Sequence, residues 1–275
     1  MTDRRTHPAN ERVAHDSLRG QIHGVTFTAG TRKTISSCTV DISTERPNGP
    51  RDREKLCGEA VNVLEETKDF AFVVCEDGYV GYTHPAFLSD FVPVTHRVAT
   101  LATHAYADED FKSQMVRHLP FAAKLQVLDE RRKFYETNWG FIPKKHLRPL
   151  DRPFDDPATI AQLHFNVPYL WGGNSTLGID CSGLIQAALT ACDIPCPGDS
   201  DMQCAQLGAD IPEGAALQRT DLIFWKGHVG MMVDGETLIH ANAHHMACRY
   251  EPLEAATLRI KAQGDGPVIA RKRIS

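Results

Sequence analysis

No window of the 275-residue chain approaches the roughly 18 continuous apolar residues of a membrane helix, so no membrane partner is expected. The first twenty residues are polar and charged and lack the apolar core of a secretory signal. The protein is therefore expected to stay in the cytoplasm, where it is made. Charge of one sign is also scarce: 30 basic against 35 acidic residues leave a formal charge of −5, which gives no footprint for nucleic acid. The eight cysteines (38, 57, 75, 181, 192, 196, 204 and 248) are scattered and follow no signal, so they read as reduced thiols rather than a disulfide framework. Cys192 and Cys196 are spaced C-x3-C with Cys204 close by, but no second ligand pair follows at zinc-finger spacing. Neither a metal nor a cofactor is expected, and no pattern fixes an oligomeric state. What is present is 42% apolar residues over a length that suits about two domains, or three small ones.

Residues 1–32 show weak periodicity, as in an arm that is mobile or wraps over a neighbour. From 33 to 92 the texture is β: runs at 60–64 and 70–75, a Glu76-Asp77-Gly78 turn and a run at 79–82. A weaker copy follows over 93–150. Residues 124–130 echo 60–66, and Gly81-Tyr82-Thr83-His84-Pro85-Ala86-Phe87-Leu88 is matched by Gly140-Phe141-Ile142-Pro143-Lys144-Lys145-His146-Leu147, a period of about sixty residues. The order of glycine, aromatic and closing leucine resembles two tandem bacterial SH3-like barrels. Proline and acid over 150–157 mark a boundary, after which 151–275 reads as one further domain. It has a helix at 158–165, a polar loop over 198–214, and strands at 221–225, 228–233 and 237–242. The fold class is α+β.

The last domain is organised around Pro168-Tyr169-Leu170-Trp171-Gly172-Gly173 and, after a short polar loop, Ile179-Asp180-Cys181-Ser182-Gly183. Leu184, Ile185, Ala188, Leu189 and Cys192 recur at helical spacing, which puts Cys181 on the first turn of a helix. Unpaired N–H groups and the helix dipole favour a thiolate there, as in enzymes whose cysteine pKa falls from about 8.5 to roughly 3.5–7.5. Asp180, just before the helix, also has the makings of an N-cap. Trp171, Trp225 and Phe224 read as core residues.

A nucleophilic thiol needs a base and a group that orients the base. His228 opens one strand of a hairpin, His240 lies near the end of the next, and Asp234-Gly235 sits at the turn. Side chains alternate along a strand, so both histidines face Cys181 only in an even register. A three-residue loop at 233–235, or a five-residue loop at 232–236, sets them directly opposite each other; a two- or four-residue loop puts them on opposite faces.

Tyr169, Gly172-Gly173, Asp180-Cys181-Ser182-Gly183, Gly227-His228-Val229-Gly230 and His240-Ala241 together resemble the NlpC-type cysteine peptidases of bacterial cell-wall metabolism, which have a papain-like fold. The resemblance implies Cys181 as nucleophile, His228 as general base, His240 as the orienting third member and Tyr169 as a helper of the Cys181 N–H in the oxyanion site. With two SH3-like units in front, the chain is similar to the γ-D-glutamyl-L-diamino acid endopeptidase branch, also called dipeptidyl-peptidase VI. That branch implies a murein tripeptide or tetrapeptide substrate with a free N-terminal L-Ala, in peptide recycling. It also implies an amine pocket of Asp180, Ser182 and a barrel aromatic, Tyr79 with Tyr82 in reserve. Asp199-Ser200-Asp201-Met202-Gln203 resembles a family loop whose acids can meet an amine. Two alternatives stay open: a wall-peptide-binding module with a dead catalytic domain, and a metal-dependent hydrolase built on His240, His244, His245 and Cys248, spaced H-x3-H-H-x2-C.

Overall fold

Alternation of side chains drives the first half of the chain into strands. In Thr39–Ser43, Val40 and Ile42 are buried around an exposed Asp41; in Ala102–Tyr106, Thr103 and Ala105 are buried around an exposed His104. The structure is a computed structural model that describes residues 3–45 and 49–274. It divides into two compact units, Met1–Leu150 and Asp151–Ser275. None of its helices is long and apolar enough to cross a membrane, among the described residues.

In the first unit a seven-stranded sheet runs in the order Arg51–Leu56, Thr39–Ser43, Val80–Thr83, Ala71–Cys75, Ala60–Glu66, Thr31–Ile35 and Leu88–Asp90. The second copy repeats this order. Met115–Pro120, Ala102–Tyr106, Gly140–Pro143, Phe134–Thr137 and Val127–Glu130 form one sheet, and Lys124–Leu125, His96–Val98 and Leu147–Pro149 form another. The difference lies at Gln126, whose N–H turns aside to the Asn138 side chain (2.8 Å) and splits the strand equivalent to Ala60–Glu66 in two. A 3-10 turn precedes the closing strand in each copy, at Pro85–Phe87 and at Lys144–His146. The sequence period is thus a repeat of topology. Among the described residues the end strands of each sheet do not pair with each other, so both copies are open ladders.

Ile35, Val40, Ile42, Val61, Val73 and Tyr79 fill the first core, and Val98, Ala105, Leu119, Leu125 and Ile142 fill the second. Cys57 of the first copy is buried in the second core, where its carbonyl accepts the Lys124 N–H (2.9 Å). From Asp3 onward the arm expected over 1–32 is docked rather than mobile. Val13–His15 pairs in parallel with Thr26–Thr28, Val13 packs on Leu64, Phe72 and Val80, and Arg12 pairs with Glu65 and lies over the Phe70 ring. Met1 and Thr2, and residues 46–48 of the first copy, lie outside the described residues.

The second unit has a six-stranded antiparallel sheet in the order Ala209–Asp210, Ala270–Arg273, Leu222–Trp225, His228–Met232, Thr237–Asn242 and Ala247–Pro252. Its helices are α1 (Pro157–Leu163), α2 (Cys181–Ala191), α3 (Ser200–Gln206) and α4 (Leu253–Gln263). Every residue of α2 except Thr190 is buried, so the expected one-sided stripe is a helix enclosed on all sides. Helix α3 corrects the polar loop expected over 198–214. Met202 and Gln203 are buried, and Gln203 Nε2 donates to the carbonyls of Ser182 and Pro197 (2.9 Å each), so tertiary contacts fix a helix that its polar sequence does not announce. On one face of the sheet Ile223, Trp225, Met232 and Leu238 are covered by Ala256 and Ile260 of α4.

Candidate active site

Cys181 is the first residue of α2, and Asp180 is its N-cap. One Asp180 oxygen accepts the Gly183 N–H (2.6 Å) and the Ser182 hydroxyl (3.0 Å), and the other accepts the Gly172 N–H (3.0 Å). The carboxylate therefore ties the Gly172-Gly173 loop to the first turn of the helix. The Gly173 carbonyl returns the link by accepting the Asp180 N–H (3.1 Å). Gly183 is required at this crossing, because a Cβ there would overlap the Gly173 carbonyl. Asn174 Nδ2 donates to Gln186 Oε1 (3.2 Å) on the next turn of α2 and fixes the loop from the other side. The glycine loop and the nucleophile turn form one rigid piece.

The Cys181 thiol points at the start of the His228–Met232 strand, with its Sγ 4.0 Å from the Gly227 carbonyl oxygen. His228 Nε2 lies 2.9 Å from His240 Nδ1. The register is even, as both histidines facing one side requires. Met231 pairs with Ile239 and Met232 with Leu238, however, so the ladder is shifted by two residues from direct opposition. The two histidines are diagonal neighbours, and Gly230 stands opposite His240. A Cβ on Gly230 would press on the Leu238 side chain and on His240 Cβ, so glycine leaves room for the crossing imidazoles. The shift has a local cause. Asp234 Oδ1 accepts the N–H groups of Glu236 (2.8 Å) and Thr237 (2.7 Å), and Val233 still pairs with Thr237, so the loop is 234–236 rather than 233–235.

His240 is fully buried, and its Nε2 meets Glu251 Oε2 at 3.0 Å. Glu251 is in turn held by Arg259 of α4, with Nε to Oε1 at 2.9 Å and Nη2 to Oε2 at 2.7 Å. Burial alone would raise the Glu251 pKa; the hydrogen bonds from His240 and Arg259 and the guanidinium charge outweigh it and hold the carboxyl well below its usual range. Burial, then the neighbouring His240, pushes His228 down to about 3, and burial lowers His240 against the opposing pull of Glu251. Burial thus favours the neutral form of both imidazoles. Glu251 and Arg259 do not emerge from the sequence. Had Ala247–Pro252 been recognised as the strand beside Thr237–Asn242, the diagonal placement of Glu251 next to His240 would have followed.

Tyr169 is half-buried. Burial, then Cys181 and Asp180, raises its hydroxyl pKa, so it keeps its proton and can donate. Ser182 is buried against Asp180. Tyr79 is not in a position to touch a substrate: it is 1% exposed, in the core of the first copy, which corrects its expected place in an amine pocket. Tyr82 is half-buried and lines a cavity of about 430 Å³ on the first copy with Asp41, Asp69, Phe70 and Phe87. Asp199 and Asp201 belong to the N-terminus of α3. Trp225 and Phe224 are core residues, whereas Trp171 is 70% exposed beside the glycine loop, contrary to expectation. His244 bonds Gln263, His245 bonds Asn242, and Cys248 is buried. Among the described residues no group of three or more His, Cys, Asp or Glu is placed to hold a metal ion.

Residues 166–258 match the NlpC/P60 family, and residues 44–86 match the bacterial dipeptidyl-peptidase SH3 domain. A γ-D-glutamyl-L-lysine dipeptidyl-peptidase of Bacillus cereus is 26% identical over 280 residues, covering 88% of this chain and 83% of its own length. Dipeptidyl-peptidase 6 of Lysinibacillus sphaericus is 36% identical over 113 residues, 38% of this chain and 41% of that protein. Among solved structures, an NlpC/P60 family protein from Bacillus cereus superposes with a TM-score of 0.74 over 88% of this chain and 99% of its own, at 18% identity, a likeness of fold. The chain thus carries an NlpC/P60 domain over residues 166–258, behind a bacterial dipeptidyl-peptidase SH3 domain over residues 44–86.

Proposed function

We propose that the protein hydrolyses the bond between γ-D-glutamate and a diamino acid, diaminopimelate or lysine, in peptidoglycan stem peptides that carry a free N-terminal L-Ala. At the coarser level it is a cysteine peptidase acting on peptidoglycan peptides. The observation that carries this is the placement of Cys181 on the first turn of α2, against the start of the strand on which His228 meets His240.

Cys181 Sγ attacks the γ-carbonyl carbon as its proton passes to His228. The oxyanion accepts from the Cys181 N–H and the Tyr169 hydroxyl, and His228 returns the proton to the departing amine of the diamino acid. Water, activated by the same imidazole, then cleaves the thioester and releases L-Ala-D-Glu. A base of this kind contributes about 10²- to 10⁴-fold, and an oxyanion donor roughly 10²- to 10³-fold. The L-Ala ammonium lies near Asp180 and Ser182, where a buried carboxylate beside the nucleophile favours a cation. A requirement for a free amine suits peptide fragments already released from glycan, hence recycling in the cytoplasm. Support also comes from the Bacillus cereus dipeptidyl-peptidase, whose likeness runs through both halves of the chain.

Mass spectrometry of L-Ala-γ-D-Glu-diaminopimelate incubated with the protein tests the reading. L-Ala-D-Glu and free diaminopimelate are the expected products, and the Cys181→Ala variant should release neither. Equal release by Cys181→Ala would refute the cysteine chemistry.

A further inference from the structure

His240 does not end the chain of contacts behind the thiol. Its two ring nitrogens are both engaged, Nδ1 with His228 Nε2 at 2.9 Å and Nε2 with Glu251 Oε2 at 3.0 Å, and no part of it reaches solvent. Two neutral imidazoles in contact share one proton at their junction, and which ring supplies it decides whether the other His228 nitrogen, Nδ1, carries hydrogen. Nothing in the histidine pair itself makes that choice.

We propose that Glu251, clamped by Arg259, is a positioning residue that selects the tautomers of His240 and His228 and so leaves the His228 Nδ1 bare to accept the thiol proton. The inference rests on the reading of Cys181 and His228 as nucleophile and base, and it follows from counting protons. Arg259 donates two N–H groups to Glu251 and places a fixed positive charge beside it, so the carboxylate is ionised and can only accept. The His240 Nε2 must then carry hydrogen. A neutral His240 with hydrogen on Nε2 has a bare Nδ1, which accepts from His228 Nε2–H. A neutral His228 with hydrogen on Nε2 has a bare Nδ1. Each step is forced by the one before, and the direction of the whole chain is set at Glu251.

Without the negative charge the opposite direction is available. A neutral partner that offers hydrogen to His240 Nε2 lets His240 place its proton on Nδ1 and donate to His228 Nε2. His228 then holds its proton on Nδ1, where it cannot act as a base. The titratable and charged groups around the pair are Cys181 and Tyr169 towards the cleft, Glu251 and Arg249 on the neighbouring strand, Arg259 on α4, and His244 and His245 in the turn before that strand. Of these, Arg249 turns towards the Phe165 ring, 5.5 Å from its centroid, and His245 bonds Asn242, so Glu251 is the acid that meets His240. The lowered pKa values of both histidines agree with neutral rings at pH 7.

The test uses the full-length protein, histidine-labelled with ¹⁵N, and long-range ¹H–¹⁵N spectra of the rings at pH 7. In the wild-type protein His228 and His240 are each expected with hydrogen on Nε2 and a bare Nδ1. Glu251→Gln keeps the shape but can donate from its amide; it should mix the tautomers and lower kcat on the tripeptide by roughly 10- to 100-fold, with KM within about twofold. A wild-type His228 protonated on Nδ1 overturns the proposal. So does a Glu251→Gln enzyme of normal kcat, or a slow one whose rings keep their wild-type tautomers, since the latter marks a merely structural role. If Glu251→Gln does not fold, the wild-type spectrum alone decides. The spectra need no substrate, so failure of the peptidase reading, seen as activity in Cys181→Ala, is a separate result.

Discussion

Asp180 holds three donors at once: the Gly183 N–H, the Ser182 hydroxyl and the Gly172 N–H. Capping is thus one role of this carboxylate, the proposed recognition of the L-Ala ammonium would be a second, and two substitutions tell them apart. Asp180→Asn keeps an acceptor at the cap but turns its amide NH2 towards the Gly172 N–H and removes the charge, so it should cost about 1–2 kcal/mol in stability while KM for the free-amine peptide rises several-fold. Asp180→Ala should cost about 1–2 kcal/mol in urea unfolding through the lost cap and the stranded N–H groups. Equal KM in Asp180→Asn and wild type would assign Asp180 to the fold alone. Sequence makes Cys181, His228 and His240 legible because a helix start and the ends of two strands are local patterns. It does not distinguish a cap from a substrate contact at Asp180, since the same residue type in the same place suits either. Tyr79 shows the limit from the other side: an aromatic just ahead of the Val80–Thr83 strand suits a pocket wall or a core, and only its packing among Ile35, Val40 and Val61 decides.

Elements differ in how much of their placement is local. The two β copies are legible from recurring strand and turn residues, and the structure returns the same strand order in both. Helix α3 is not, because Met202 and Gln203 are ordered by contacts distant in sequence. The histidine hairpin is legible in parity but not in register, since the Asp234 side chain moves the turn by one residue and the opposition by two. Glu251 and Arg259 lie on a strand and a helix whose sequences, Ala247–Pro252 and Leu253–Gln263, carry little periodic signal. The end of α1 supplies a test by pH. His164, 1% exposed, has its Nδ1 3.0 Å from the Ile160 carbonyl, and burial lowers its pKa from 6.5 to about 4. Above pH 6.5 the ring is neutral in both folded and unfolded chains, and its contribution is fully present. Between pH 6.5 and 4 the unfolded chain takes up a proton that the folded one refuses, so stability falls with pH, by about 3 kcal/mol in all, and levels off below. Urea unfolding at pH 7 and pH 4 should show this loss, and it should shrink by about 2–3 kcal/mol in His164→Asn, which keeps a donor near Nδ1 and cannot titrate. An unchanged pH dependence would assign the acid loss of stability to groups other than His164.

At the scale of the whole molecule, a tandem β repeat precedes a papain-like catalytic domain in one chain, and the likeness to the Bacillus cereus dipeptidyl-peptidase extends over both. A thiol peptidase with no amine requirement needs only Cys181, His228 and His240. The proposed specificity asks for more, a free N-terminal L-Ala read beside the nucleophile. Comparison of kcat/KM on L-Ala-γ-D-Glu-diaminopimelate and on its N-acetyl-L-Ala derivative tests it most directly. Cleavage of the first at the γ-D-Glu–diaminopimelate bond is expected, with loss of at least about 100-fold on the second, the scale of an unmet charged hydrogen bond. Equal turnover of the two peptides would contradict it.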